Sequence, residues 1–516
     1  MKKIISSIIF IFIIGSSLIS CQKMPEKRVV VDRSEGLPEE SIISKEEKGI
    51  PKDLGIPEHW EETLTKNDGF ITLTADYEFA IPEIYNTPIY SYEIRSMEQE
   101  FLEKLCMFFS DGNSLYEEAE MTKNELLKEK DNISNQKGAW GFYNASNYGD
   151  FLNTLIGRID LLIERAPEDK VAHNYIDVEL TVPKKSGMEL IQRPWSNATH
   201  KRQWHEWYYE TDDKIGFTAR VEKGKKVNPI LRATNYDDEI GSTTAFIYKQ
   251  GTFIDEIELS LEWKLENTLN NGNDSYLTYL SNEMDYDVDD AFTQEDAIRE
   301  AKKVLDDLSI EGIVVTDCVK AIGEMESESW AGLEEGIEKS KGYAVYLSLE
   351  AGDVAGYPLP STALPYEALA ETTYAPAFRT EGIRIIVTKE GIQLFEWTDI
   401  SKKIDTIAKN TAIMPFEEVK EKLVDHLFYT QVANLGGISQ EGFINLYTVQ
   451  NVQLRAANIN AYEDPMRAWL VPIWKFEVES VMSLTTQEGA YETNSGPEIV
   501  VLNAIDGGYV QVQMDW

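Results

Sequence analysis

The sequence predicts an α+β protein of several modules, in which helices pack on antiparallel sheets and a tandem helix-plus-sheet repeat fills the C-terminal half. Three observations predict it. Helical spacing of apolar residues is confined to a few stretches, around 96–112, 114–132, 148–165, 294–308 and 415–427, while apolar–polar alternation marks much of the chain after residue 176. Helices come first and a run of strands follows, the order of an α+β chain. Two segments about 115 to 120 residues apart, "FTQEDAIREAKKVLDDL" and "MPFEEVKEKLVDHL", each open a similar succession of helix and strands. With 516 residues, 42% of them hydrophobic, and with 25 Tyr and 11 Trp, the chain is long enough for two to four cores.

At the amino end, Lys2 and Lys3 precede an apolar run from Ile4 to Ile19, the charge order of a secretory signal. Sixteen residues fall short of the about 17 to 25 that span a bilayer. Leu18, Ile19, Ser20 and Cys21 resemble the bacterial lipobox. That resemblance implies cleavage before Cys21 and a diacylglyceryl group on its thiol, with palmitate-type chains. Residues 1–20 are then a lipoprotein signal peptide, and Cys21 is the lipidation site holding the protein on the extracytoplasmic face of the cell membrane. The alternative is an ordinary membrane anchor with an incidental cysteine. Two acyl chains suffice for stable anchoring where one is marginal.

Residues 21–57 read as a lipidated cysteine and flexible tether, because Lys, Glu, Ser and Pro prevail from Gln22 to Ile56. A free chain of that length spans on the order of 30 to 40 Å r.m.s.. An N-terminal α+β domain is expected over 58–290. "FITLTADYEFAIP" reads as strand. A helix follows, capped by Ser96 with Gln99 as its capping-box partner, carrying Phe101, Leu102, Leu105, Phe108 and Phe109 on one face and ended by Gly112. A second, charged helix covers about 114–132, and a third runs from Tyr148 to Arg165. The period then shortens to two: Ile176, Val178, Leu180 and Val182 alternate with polar residues, as do stretches near 215–221, 245–248 and 254–259.

The repeat occupies 291–400 and 401–516. In the first copy Thr293 caps a helix with Asp296 three residues on, and Ala297, Ile298, Ala301, Val304, Leu305 and Leu308 face inward. In the second, Pro415 suits the first turn, and Phe416, Val419, Leu423 and Leu427 face inward. Each copy ends in a hairpin with an acid–glycine turn, at Glu390–Gly391 in "IIVTKEGIQLFEW" and at Asp506–Gly507 in "IVVLNAIDGGYVQVQ". "MRAWLVPIWKFEVES" supplies a further strand. A helix followed by "WLVPIWKFEVES" and "NAIDGGYV" resembles the PepSY-type fold, so the two copies are expected to be PepSY-like modules. From "ADYEFAIPEIYNTPIYSYEI" through "MPFEEV" to "VVLNAIDG", the mature chain also resembles an uncharacterised family of predicted lipoproteins of Gram-positive bacteria (domain of unknown function 6034). The PepSY resemblance implies extracytoplasmic binding or regulation of envelope enzymes without catalytic residues.

Charge narrows the partners. The formal net charge is −40, and loss of residues 1–20 removes two lysines and no acid, leaving −42. Such a polyanion is repelled by nucleic acid and by anionic headgroups, so no nucleic acid partner is expected and the lipid must do the anchoring. Cys106 and Cys318 read as small core hydrophobes, a single bridge between them being the alternative. His200 and His205 lie in "ATHKRQWHEWYY", but Tyr209 stands where a zinc-binding H-E-x-x-H needs its second histidine. Asp285, Asp287 and Asp289 have the spacing that opens a calcium loop, yet Asp290 replaces its glycine and Asp296 its final glutamate. Trp195, Trp204, Trp207, Tyr208 and Tyr209 form an aromatic cluster suited to a core or to a glycan or peptide platform.

No nucleophile elbow, phosphate-binding loop, dinucleotide fingerprint or C-x-x-C motif is present. No catalytic, cofactor-binding or metal-ligating residue is singled out, and no cofactor is expected. The expectation is a non-enzymatic, lipid-anchored envelope protein with an envelope protein or peptide as partner. The alternative is an envelope hydrolase or glycan-binding protein built from scattered residues.

Overall fold

A computed structural model of the chain describes residues 31, 33, 36–38, 41–43, 52–81, 83–117, 122–135, 160, 163–164, 166–169, 172–180, 185–194, 201–209, 216–224, 228–234, 244–250, 262–265, 292–325, 338–357, 380–435, 442–461, 464–486 and 489–510. It is a mixed α+β molecule of mostly antiparallel sheets with few helices. One sheet has the order β1 (His59–Lys66), β2 (Ile71–Glu78), β18 (Phe443–Ala461), β19 (Asp464–Thr486), β3 (Ile89–Ile94) and β17 (Ser401–Ala408), with β20 (Gly489–Asn503) on β19 beside β3. The other runs β11 (Glu262–Leu265), β12 (Ile313–Met325), β13 (Glu338–Ala351), β15 (Gly382–Thr388), β16 (Gly391–Thr398), β10 (Ala245–Lys249), β9 (Ile230–Thr234), β8 (Phe217–Val221), β4 (Leu115–Glu117) and β5 (Asn174–Tyr175). To it β13 adds β14 (Val354–Ala355), and β6 (Lys185–Pro194) and β7 (Lys201–Tyr209) form a separate hairpin.

Each sheet draws strands from more than one of the ranges 58–290, 291–400 and 401–516. Strand β2 pairs with β18 in parallel, β3 pairs with both β17 and β19, and β10 pairs with β16. The physical reason is edge satisfaction: strands such as "AFIYK", buried at four of five positions, need a neighbour on each side, and early strands supply it to late ones.

Among the described residues the helices include α1 (Gln99–Ser110), α2 (Lys123–Asn135), α3 (Gln294–Leu308) and α4 (Phe416–Asn434). Helix α3 has the expected capping box, Thr293 Oγ1 accepting from the Asp296 amide and the Asp296 carboxylate accepting from the Thr293 amide at 3.0 Å. Its buried face is Ala297, Ala301, Val304, Leu305 and Leu308, set over β13. Helix α4 buries Phe416, Val419, Leu423 and Leu427, and Trp60 meets Phe416 edge-on at 5.2 Å.

Helix α1 departs from its predicted start. Glu98, not Ser96, is its N-cap, without a side-chain cap bond, because the Gln99 amide is used elsewhere: it donates to Val178 O at 2.7 Å and accepts from the Leu180 amide at 2.9 Å. The expected second helix begins later, at Lys123, after β4 takes Leu115–Glu117 into the sheet. Of the Ile176–Val182 alternation, residues 176–180 join no strand, although Ile176, Val178 and Leu180 pack against the large core. Most of the helix expected over 148–165 and the strand expected over 254–259 lie outside the described residues.

The stretch expected to be a free tether is partly docked. Leu37 is 0% exposed, in a core with Ile89, Tyr357, Ile459, Val471 and Val501. Arg33 donates its amide to Tyr509 O at 2.6 Å, and Tyr509 returns one to Val31 O at 2.8 Å. Composition averaged over the segment hides this, because one fully buried leucine and a pair of backbone bonds suffice to hold it.

Candidate functional site

Strand β19 carries its story in alternation. Trp474, Phe476 and Val478 lie under α4, while on the opposite face Trp469, Val471 and Ile473 join the core that Leu37 closes. That second face then turns from apolar to charged: Lys475 and Glu477 follow, both buried, before Glu479 reaches solvent. Lys475, 1% exposed, donates to Glu477 Oε1 at 2.6 Å, and the Tyr357 ring lies 4.6 Å from its ammonium. Tyr357 is delivered by the turn after β14, where its amide donates to Ala456 O at 2.7 Å. Gly356 makes that approach possible, since a Cβ there would overlap Leu349 O.

The second sheet enters through Asp317. A bulge in β12 between Val315 and Asp317 re-aims the strand, and Asp317 accepts from Arg455 Nη2 of β18 at 3.0 Å. Two carboxylates, two cations and a phenol thus form a seam between the sheets, in which Lys475, Glu477 and Tyr357 are buried and Asp317 and Arg455 half-buried. Burial pushes the Lys475 ammonium below its ordinary value, against the pull of Glu477. Burial raises Asp317, with Arg455 opposing, and raises the Tyr357 phenol as well. Each group is matched by an opposite charge or a ring face, and the seam ties the two sheets together.

A second buried acid lies where the chain crosses from β16 into β17. Glu381, 3% exposed, accepts from Trp397 Nε1 at 2.7 Å, from the Ser401 hydroxyl at 2.7 Å and from the Ser401 amide at 3.0 Å. Asp399 makes the crossing with φ of 54°, and Ile400 donates to Thr244 O while accepting from the Arg95 amide. Burial pushes the Glu381 carboxyl up to about 7, although Ser401 and Trp397 bond to its charged form; Asp399 adds to the rise.

The sequence singles out neither the seam nor Glu381; of this stretch it says only that "MRAWLVPIWKFEVES" supplies a strand. One signal was present: residues 469–474 are apolar at both parities, which marks a strand covered on both faces, and the charges continue one of those faces.

Cys21, His200, Trp195, Asp285, Asp287 and Asp289 lie outside the described residues. His205, Trp204, Trp207, Tyr208 and Tyr209 fall on β7, whose side chains are likewise outside them. Cys106 and Cys318 are free, each thiol pushed up to about 12 by burial. Among the described residues no three His, Cys, Asp or Glu side chains are grouped to hold a metal, and no helix is long and apolar enough to cross a membrane.

No protein family and no curated protein matches the chain. Among solved structures, the chain is similar to an uncharacterised protein from Eubacterium rectale, at 12% identity over 89% of this chain and 94% of that one, with a TM-score of 0.33. At that score nothing about fold or function follows from the likeness.

Proposed function

We propose that the protein is a lipid-anchored, extracytoplasmic envelope lipoprotein, held on the cell membrane through Cys21, that binds or restrains an envelope protein or peptide without catalysing a reaction. The observation that carries it is the lipobox of Leu18, Ile19, Ser20 and Cys21 behind a Lys-flanked apolar run. On the finer fold, α3 followed by β12, β13, β15 and β16, and α4 followed by β18, β19 and β20, support reading the two units as tandem PepSY-like modules. The resemblance to the family with domain of unknown function 6034 belongs to the same reading.

The non-catalytic reading is supported by how the buried ionisable groups are used. Glu381 has the protonation range of a general acid or base, which favours the alternative of an envelope hydrolase. Its oxygens are nevertheless turned to Trp397 and Ser401 in a nearly closed interior.

Metabolic labelling with a fatty-acid analogue tests the anchor: the wild-type chain takes up label and Cys21→Ala does not. An equally labelled band from the variant removes the anchor. Crosslinking on intact cells followed by mass spectrometry tests the partner, with an envelope protein or peptide as the expected adduct.

A further inference from the structure

Glu498 is a half-buried acid that the fold itself does not use. On β20 it lies opposite Val478 of β19, on the face that carries Tyr447, Phe476 and Val500 under α4. Tyr447 is fully buried and accepts from Gln431 Nε2 at 2.7 Å, so the last turn of α4 stands over the same corner. Glu381, Glu477 and Asp317 each accept from a side-chain donor. Among the described residues, neither a hydrogen-bond donor nor a cation meets the Glu498 carboxylate. Burial alone pushes it above the ordinary carboxylate range, and its charge adds to the rise that burial gives the Tyr447 phenol.

A second negative element stands beside it. Helix α4 ends without a basic residue in its last turn, which leaves the negative end of its dipole uncompensated. Gln431 spends its amide N–H on Tyr447 and keeps its carbonyl oxygen as a further acceptor. A carboxylate stripped of part of its water beside such an end destabilises the fold unless a cation joins it, and an unsatisfied group of this kind calls for a partner from outside.

Beyond Glu498 the same face is apolar and open. The register sets Met482 between Asn445 and Thr493, and Leu484 between Phe443 and Tyr491. Met482 is 36% exposed and Tyr491 55%. Val478 and Met482 are four residues apart, about 13 Å along an extended strand.

Resting on the reading of the chain as a binder of an envelope protein or peptide, we propose that this corner is the subsite for a basic side chain of that partner. Its cationic head pairs with Glu498 and the Gln431 carbonyl, and an apolar side chain four residues along the extended partner lies on Met482 and Tyr491. Charge favours this occupant, because a chain of net charge −40 steers cations toward it.

The test uses the full chain with carbon-13 in its methionine methyls, the Met482 signal being identified by Met482→Leu. Two acetylated pentapeptide amides, Leu-Thr-Thr-Thr-Lys and its reverse, are titrated above neutral pH to millimolar concentration. At least one of them is expected to move the Met482 signal saturably. Norleucine in place of the lysine, or Glu498→Gln in the protein, should weaken that binding by roughly tenfold or more, the worth of one charge-assisted hydrogen bond. Glu498→Gln should also unfold in urea at a midpoint no lower than the parent's, since it removes a desolvated charge that has no partner. No saturable shift with either peptide, equal affinity for the norleucine peptide, equal affinity of Glu498→Gln, or a lower urea midpoint for that variant overturns the subsite. Crosslinking on intact cells separates the two ideas: a captured envelope partner with no peptide binding sinks only the subsite, and peptide binding with no captured partner sinks the binder reading and leaves the subsite.

Discussion

Glu381→Gln should reverse the sign of its effect on stability between pH 5 and pH 8. The folded carboxyl titrates at about 7 and its ordinary value is 4.5. Between those values the folded chain holds a proton that the unfolded chain has released. Stability from this group is therefore fully present below about pH 4.5 and is lost as pH rises through 7. At about 1.36 kcal/mol per pH unit the swing approaches 3 kcal/mol. Glutamine has no such swing. It does present an amide N–H₂ where the carboxylate had an oxygen, so one of the donors from Trp397 and Ser401 loses its acceptor, at a cost of about 1 kcal/mol. The variant should be less stable than the parent by about 1 kcal/mol at pH 5 and more stable by roughly 2 kcal/mol at pH 8. Urea midpoints of both proteins at pH 5, 6, 7 and 8 measure the difference and cancel every other titrating group. A constant difference across that range would refute the assignment of a buried, neutral-range carboxyl to Glu381.

Three further outcomes are expected. Lys475→Met leaves Glu477 buried without its cation and should cost about 3 to 5 kcal/mol in urea unfolding, whereas Lys475→Met with Glu477→Leu should recover most of that loss. Leu37→Ala empties a fully buried site and should cost about 2 to 5 kcal/mol, read from the same midpoints; no change would mean that segment 31–43 does not belong to the folded core. Thr293→Ala removes one half of the α3 capping box and should lower stability by about 1 kcal/mol, while Thr293→Asn should stay near the parent.

What was legible in the sequence was local. Helix α3 could be read because Thr293, Asp296 and the inward residues from Ala297 to Leu308 all lie within sixteen residues and report on one another. The β15–β16 hairpin was legible for the same reason, though its turn falls at Lys389–Glu390 and Gly391 already pairs with Thr388. Helix α1 was placed correctly on its apolar face but not at its start, because Gln99 serves residues nearly eighty positions away.

The seam lay beyond such reasoning. Alternation along "VPIWKFEVES" says that Lys475 and Glu477 share a face with Ile473, but not what that face meets. In the fold it meets, in order, the docked Leu37, the Tyr357 ring and solvent at Glu479, three surroundings within one period-two pattern. Leu37, Tyr357 and Asp317 each come from more than a hundred residues upstream of Lys475. The same logic governs the N-terminal segment: its acids and prolines predict a free chain when averaged, yet folding is decided by whether a single leucine and a few backbone groups find partners. Here they find Val471, Val501 and Tyr509, all contributed by the last fifty residues of the chain.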